Sequence, residues 1–257
     1  MGTVFSFTVR DPGPGTAAAL RRIVARLHRI DAVLSPYRPD SEISRLGRGE
    51  LTEHQCGPEV AEVLARCREV AEETDGYFTA HPDGRLDPSG WVKGWAVEDA
   101  SRALRAAGSA QHSVCGGGDV QTAGGPWRIG IAHPLRAGAL AAVVTGYDLA
   151  VATSGTAERG AHVHDPVGGG PATGLASLTL VGGTLARTDA WTTAAFAMGP
   201  SRAVAWAARR PGIEALAVHP DGRQEWTPGF ARHLAPATAA DWQLRSTTRA
   251  RGSAPSP

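Results

Sequence analysis

The residues of this chain that could do chemistry gather in four short stretches. The densest, VATSGTAERGAHVHDP at 151–166, packs two hydroxyls (Thr153, Ser154), a Glu-Arg pair (Glu158, Arg159) and two histidines (His162, His164) ahead of an Asp-Pro stop. Gly and Ala break it too often for a regular helix, so it reads as a loop carrying reactive groups; an ordinary polar turn with a hydrogen-bonded histidine fits the same residues. In an extended segment the alternating His162 and His164 face opposite ways, so one metal cannot easily take both, and one of them is available as a base. A zinc site would need a third strong ligand close by, and the sequence offers none.

The second stretch is LDPSGWVKGWAV at 86–97, where Pro88, Gly90 and Gly94 let the backbone turn tightly before a helix. Free N–H groups at a helix start beside Lys93 could hold an anion such as a phosphate. The spacing is not that of a P-loop, and a plain loop-to-helix junction with a surface lysine accounts for it too. Third, GGGDV at 116–120 allows positive φ or close approach of a ligand, with Asp119 placed to accept from a ribose hydroxyl; a bulged hairpin explains the glycines equally well. It is not GxGxxG and no helical pattern follows, which excludes a dinucleotide-binding crossover.

Fourth, TDAWTTAAF at 188–196 sets Asp189 and Thr193 four residues apart, on one face of a helix that begins there. A carboxylate and a hydroxyl suit Mg²⁺, which takes few protein ligands and completes its shell with phosphate oxygens and water. An N-cap is the competing reading of Thr or Asp at a helix start.

Composition narrows what such groups can act on. At 257 residues with 42% hydrophobic content, the chain can bury a substantial core. A formal net charge of +1 without blocks of like charge gives no broad case for nucleic acid or an anionic membrane. Of 26 Lys and Arg residues only Lys93 is lysine, an arginine bias expected of a GC-rich genome, and one that draws attention to that position. Cys56, Cys67 and Cys115 make neither a disulfide framework nor a zinc pattern, in keeping with a reducing compartment. No apolar run approaches the roughly 20 residues of a membrane span. With no leader or lipid-anchor cysteine near the start of the visible chain, a cytoplasmic location is expected, unless an upstream leader has been removed.

Periodicity supplies the elements that must position these groups. Phe5, Phe7 and Val9 alternate as in a half-buried strand, and Leu20, Ile23, Val24, Leu27 and Val33 recur at helical spacing up to Ser35-Pro36. A second helix opens at Pro58 and stops at Thr74-Asp75-Gly76, with Cys67 facing inward. Residues 77–94 read as a turn-rich connection, 95–107 as a third helix, and a fourth helix begins near Asp189, with a break at Gly199-Pro200. Short strands with glycine corners fill 112–155, 176–183 and 214–227. The pattern predicts one α+β domain over 1–235, mainly antiparallel sheets flanked by helices, and a disordered C-terminal tail over 236–257.

Taken in order, these segments resemble the ApbE family, the FAD:protein FMN transferases. The matching series is MGTVFSF at the start, SPYRPDSEISRL at 35–46, TDGYFTA at 74–80, LDPSGWVKGWAV at 86–97, GGGDV at 116–120, PWRIGIAHP at 126–134, ATSGTAERGAHVHDP at 152–166 and TDAWTTAAFAMG at 188–199. Colinear motifs over most of the chain are far more specific than any one of them. The resemblance implies a bound FAD whose pyrophosphate is gripped by Mg²⁺. A Thr or Ser hydroxyl of an acceptor flavoprotein with an FMN-binding domain then attacks the FMN phosphate, and AMP leaves.

By the same resemblance, the metal ligands fall on Asp189, Thr193 and the carbonyl of Gly90. FAD contacts fall on Met1, Tyr37, Tyr77, Phe78, Thr79, Asp87, Lys93 and the backbone near Val163, and the candidate general base is His162. Thr79 stands where many members carry Asp, and Gly90 where many carry Ala; His164 has no family role. Two other outcomes are compatible with the same site: a Mg²⁺-dependent FAD pyrophosphatase that uses water as nucleophile, and a non-catalytic FAD-binding protein.

Overall fold

The structure is a computed structural model that describes residues 2–156 and 163–236. Met1, His162 and everything from 237 onward, which includes all but the first residue of the expected tail, lie outside the described residues.

Strand β1 (Phe5–Val9) follows from the alternation of Phe5, Phe7 and Val9. The others are β2 (His112–Gly116), β3 (Asp119–Ala123), β4 (Trp127–Ala132), β5 (Leu140–Gly146), β6 (Ala150–Gly155), β7 (Ser177–Gly182), β8 (Glu214–Val218) and β9 (Gln224–Trp226). Seven of them form one sheet in the order β1-β2-β3-β6-β7-β8-β9, antiparallel at every pairing, while β4 and β5 form a separate hairpin between β3 and β6. The expected α+β class with antiparallel sheets is thus the observed one.

The helices are α1 (Thr16–Leu34), α2 (Glu42–Gly47), α3 (Pro58–Glu73), α4 (Ser89–Ala106), α5 (Leu185–Ala197) and α6 (Ala203–Ala208). Among the described residues none is long and apolar enough to cross a membrane.

Strand alternation divides the core into two layers. Ala150, Ala152, Leu178, Leu180, Ala215 and Ala217 face the helices, whereas Val151, Val181 and Leu216 face the β4–β5 hairpin with Ile131, Val144, Leu149 and Phe230. The helix-facing positions of β6 and β8 are alanines, and α5 answers with the fully buried Ala190 and Ala194, so helix and sheet come close. Bulk is concentrated where there is room for it, in Trp206 and Phe196.

Three sequence expectations need correction. The SPYRPDSEISRL segment is not all loop: Ser41 accepts the Ser44 N–H at 3.1 Å and caps α2, a Ser-x-x-Ser start too short to show periodicity. α4 begins at Ser89 and not at 95, and α5 at Leu185 and not at Asp189. Both shifts carry site residues into helical turns.

The end of α4 is tied to β2 by a buried histidine. His112 is fully buried, with Ser101 Oγ 2.9 Å from Nε2 and Ser109 Oγ 3.1 Å from Nδ1. Burial first, and the Arg105 charge after it, hold its pKa below the ordinary 6.5; burial lowers His133 and His233 in the same direction. A depressed histidine pKa means that the unfolded chain takes up protons that the folded one refuses. This stability is complete above about 6.5 and is lost as pH falls below it. The urea midpoint should therefore drop from pH 7 to pH 5, and less steeply in His112→Gln; equal slopes would show that His112 does not contribute.

Candidate active site

Two helices and a hairpin corner converge on Lys93. α4 and α5 touch at Gly94, where a Cβ would lie 2.7 Å from the Leu185 carbonyl oxygen and 2.8 Å from Asp189 Cβ. Only a glycine lets the helices approach this closely, and the contact brings the neighbouring Lys93 beside Asp189. On the other side, β2 and β3 are joined by Gly117-Gly118, both at positive φ, as a two-residue hairpin turn requires. A Cβ at Gly117 would meet Thr3 Oγ1 at 2.9 Å and Lys93 Cδ at 3.2 Å, so the bare corner leaves room for the lysine stem. The GGGDV stretch is therefore a tight turn without a bulge, and it delivers Asp119 as the first residue of β3.

Lys93 Nζ contacts Asp119 Oδ2 directly and lies 2.9 Å from Asp189 Oδ2. The side chains of Asp119 and Asp189 are only 2% and 6% exposed, that of Lys93 22%. Asp119 Oδ1 also accepts the Thr153 N–H at 2.9 Å, and Thr153 Oγ1 is 2.8 Å from Thr179 Oγ1. Asp119 is therefore held by β6, the first part of the 151–166 stretch. That stretch begins as strand, up to Gly155, within the run of short strands expected over 112–155.

α5 is fixed from outside its own sequence. Leu185 N–H donates to Gln121 Oε1 at 2.8 Å and Ala186 N–H to Glu98 Oε2 at 2.9 Å, so two distant side chains satisfy the first orphan donors of the helix. With Glu98 at the start of α5 and Gly94 between Leu185 and Asp189, the two helices run antiparallel. Gly90 lies one turn before Gly94 on α4. Thr193 Oγ1 donates to the Asp189 carbonyl at 3.3 Å and shares a face with the Asp189 side chain. Gly90 backs onto Phe78, whose Cε2 would be 3.1 Å from an added Cβ.

This donor set fits a hard cation. One ammonium is shared by two carboxylates in a largely dry site, and the Thr193 hydroxyl follows one turn along α5. Among the described residues no trio of His, Cys, Asp or Glu is grouped to hold an ion, so a cation here would rest on oxygen donors of mixed kind.

The remaining expected contacts are distributed around this centre. Asp87 Oδ1 accepts the Ser89 N–H at 2.9 Å, so this carboxylate already serves the start of α4. Thr79 Oγ1 accepts the His81 N–H at 3.0 Å, and Phe78 is buried core. Tyr77 is half-buried, with Arg202 4.9 Å above its ring and donating to its hydroxyl at 2.8 Å. Tyr37 stands 80% exposed, its ring free on both faces to meet a planar ligand. Val163 is buried, and its carbonyl accepts from Ala172 N–H at 2.8 Å. His164 Nδ1 is 3.1 Å from Asp83 Oδ1, a link between two loops away from Lys93. His162 and Met1 cannot be placed, being outside the described residues.

Sequence reasoning weighed Asp119 only as a ribose acceptor and missed Glu98 and Gln121. Three glycines before an aspartate at a strand start were the available signal for Asp119; nothing local marks the other two.

The ApbE family model matches residues 1–81 and 79–217 of the chain. The FAD:protein FMN transferase of Escherichia coli strain K12 is 30% identical over 156 residues, 55% of this chain and 44% of that protein. The protein of the same name from Treponema pallidum is 34% identical over 126 residues, 44% of this chain and 35% of that protein. The chain thus matches less than half the length of these curated relatives. The flavin transferase ApbE from Vibrio cholerae superposes with a TM-score of 0.76 at 21% identity, over 91% of this chain and 96% of that one. The apo form of Pseudomonas stutzeri flavinyl transferase ApbE gives 0.75 at 23% identity, over 91% and 94%. At these identities the likeness is one of fold.

Proposed function

The chain belongs to the ApbE family, and on that premise we propose that it transfers FMN from FAD to a Thr or Ser hydroxyl of an acceptor flavoprotein. The hydroxyl oxygen, giving up its proton, forms a bond to the FMN phosphorus; the bond between that phosphorus and the bridging oxygen breaks, and AMP leaves with that oxygen and the electron pair. The observation that supports this reading is the buried cluster in which Lys93 is shared by Asp119 and Asp189, with Thr193 one turn along α5.

Asp189, Thr193 and the Gly90 carbonyl would hold Mg²⁺, which when bound neutralises charge that develops on the phosphate oxygens. Lys93 adds a second positive group within reach of the same phosphates. By family resemblance Tyr37 would present a flat face to the isoalloxazine ring, with the Tyr77–Thr79 segment and Asp87 as further FAD contacts. Phe78 acts from below, as packing for the Gly90 turn. Main chain at Val163 and Met1 completes the FAD contacts by family resemblance. His162 takes the proton of the incoming hydroxyl, since an alcohol is a weak nucleophile until that proton moves.

Protein incubated with FAD, Mg²⁺ and an FMN-accepting domain should yield an acceptor heavier by one FMN, fluorescent after denaturation, and an equal amount of AMP. His162→Ala should slow this by about a hundredfold while FAD still binds. Bound FAD with no mass gain on any acceptor would rule out the transferase; free FMN formed without acceptor would point to the pyrophosphatase.

A further inference from the structure

Lys93 is shared between two buried carboxylates, and the metal reading above uses only one of them. We infer that Asp119 is a positioning residue: it holds the Lys93 ammonium so that the Asp189 carboxylate can be given up to a divalent cation. The inference rests on the proposed metal site.

The geometry sets up a competition. Lys93 Nζ reaches Asp119 Oδ2 and Asp189 Oδ2 together, so each acid draws the ammonium away from the other. Asp119 is anchored by the Thr153 N–H on its other oxygen and sits behind the Gly117-Gly118 corner, which packs on the lysine stem. Asp189 is carried on α5, whose first turn is fixed by Gln121 and Glu98. Both carboxylates are therefore held in place, and the ammonium is the part with freedom to move.

A cation taking Asp189 would otherwise confront an uncompensated ammonium about 3 Å from its ligand, where like charges repel strongly. Asp119 cancels that repulsion and keeps Lys93 charged beside the phosphates. Without Asp119, the ammonium falls back on Asp189 and competes with the cation for that carboxylate.

The test is a double-mutant cycle read by calorimetric titration of Mg²⁺ into the protein at saturating FAD, with no acceptor present. Asp119→Asn retains an oxygen for the Thr153 N–H, and should weaken Mg²⁺ binding roughly ten- to hundredfold. In a Lys93→Met background the same substitution should weaken Mg²⁺ binding by a clearly smaller factor, because only its own charge is lost and no ammonium falls back on Asp189. Asp119→Glu, which keeps the charge, should recover most of the wild-type affinity. Equal losses in both backgrounds would mean that Asp119 acts through its own charge or through the Thr153 strand and not through Lys93, and either that or no loss at all would overturn the inference while leaving the metal site standing. Undiminished Mg²⁺ binding in Asp189→Ala would instead remove the metal site, and this inference with it.

Discussion

Asp189→Ala is expected to slow FMN transfer by roughly a thousandfold, the loss that follows when a metal's several kcal/mol of transition-state stabilisation is removed. The side chain is 6% exposed and faces Lys93 at 2.9 Å. Its removal takes away both a proposed ligand and a negative charge that would draw the cation. Stability should move the other way. Two buried carboxylates that share one ammonium repel each other and are both desolvated, and deleting one relieves this at the expense of a small cavity. The melting temperature should therefore stay level or rise while transfer and Mg²⁺ affinity collapse, the trade expected of a residue kept for function. Asp189→Asn, which preserves shape but not charge, should behave like the alanine variant. Activity within tenfold of wild type in both variants, at millimolar Mg²⁺, would exclude Asp189 as the metal ligand.

The same neighbourhood shows what sequence could and could not reveal. Strands were legible because glycine corners punctuate alternating runs, as at Gly117-Gly118 and Gly124-Gly125. Cys67, expected to face inward, is 2% exposed. The two helix starts were misread for opposite reasons. In α4, Pro88 and Gly90 look like breakers, yet proline is compatible with a helix entrance and Asp87 bonds to the Ser89 N–H just beyond it. In α5, Leu185 and Ala186 have no local capping side chain, since the capping oxygens come from Gln121 and Glu98. Those positions lie 64 and 88 residues away along the chain, so no window of sequence could join them. The pairing of Asp119 with Lys93 and Asp189 is hidden for the same reason: it exists only once the hairpin corner, α4 and α5 are assembled. Spacing within one helix was enough to pair Asp189 with Thr193.

The assembly also explains why the second large effect is expected from a residue with no side chain. Gly94→Ala should lower both stability and transfer, although alanine improves helix propensity by about 1 kcal/mol. The added methyl would sit 2.7 Å from the Leu185 carbonyl oxygen and 2.8 Å from Asp189 Cβ, and neither is the tip of a flexible side chain. α4 and α5 must separate, and overpacking of this kind costs roughly 1–3 kcal/mol, which outweighs the propensity gain. Separation loosens the Glu98 contact to Ala186 as well, because that bond spans the same helix pair. Asp189, Thr193 and Gly90, the proposed cation ligands, are distributed over the two helices, so a shift of a few tenths of an ångström would spread them, while Tyr37 lies on neither helix. Catalysis should accordingly suffer more than FAD binding, by about a hundredfold in kcat against a few-fold in FAD affinity. Gly90→Ala is the control, since its methyl would meet only the edge of the Phe78 ring at 3.1 Å and should be far milder. A Gly94→Ala protein with wild-type melting temperature and kcat would show that the close approach of α4 and α5 does not set the site.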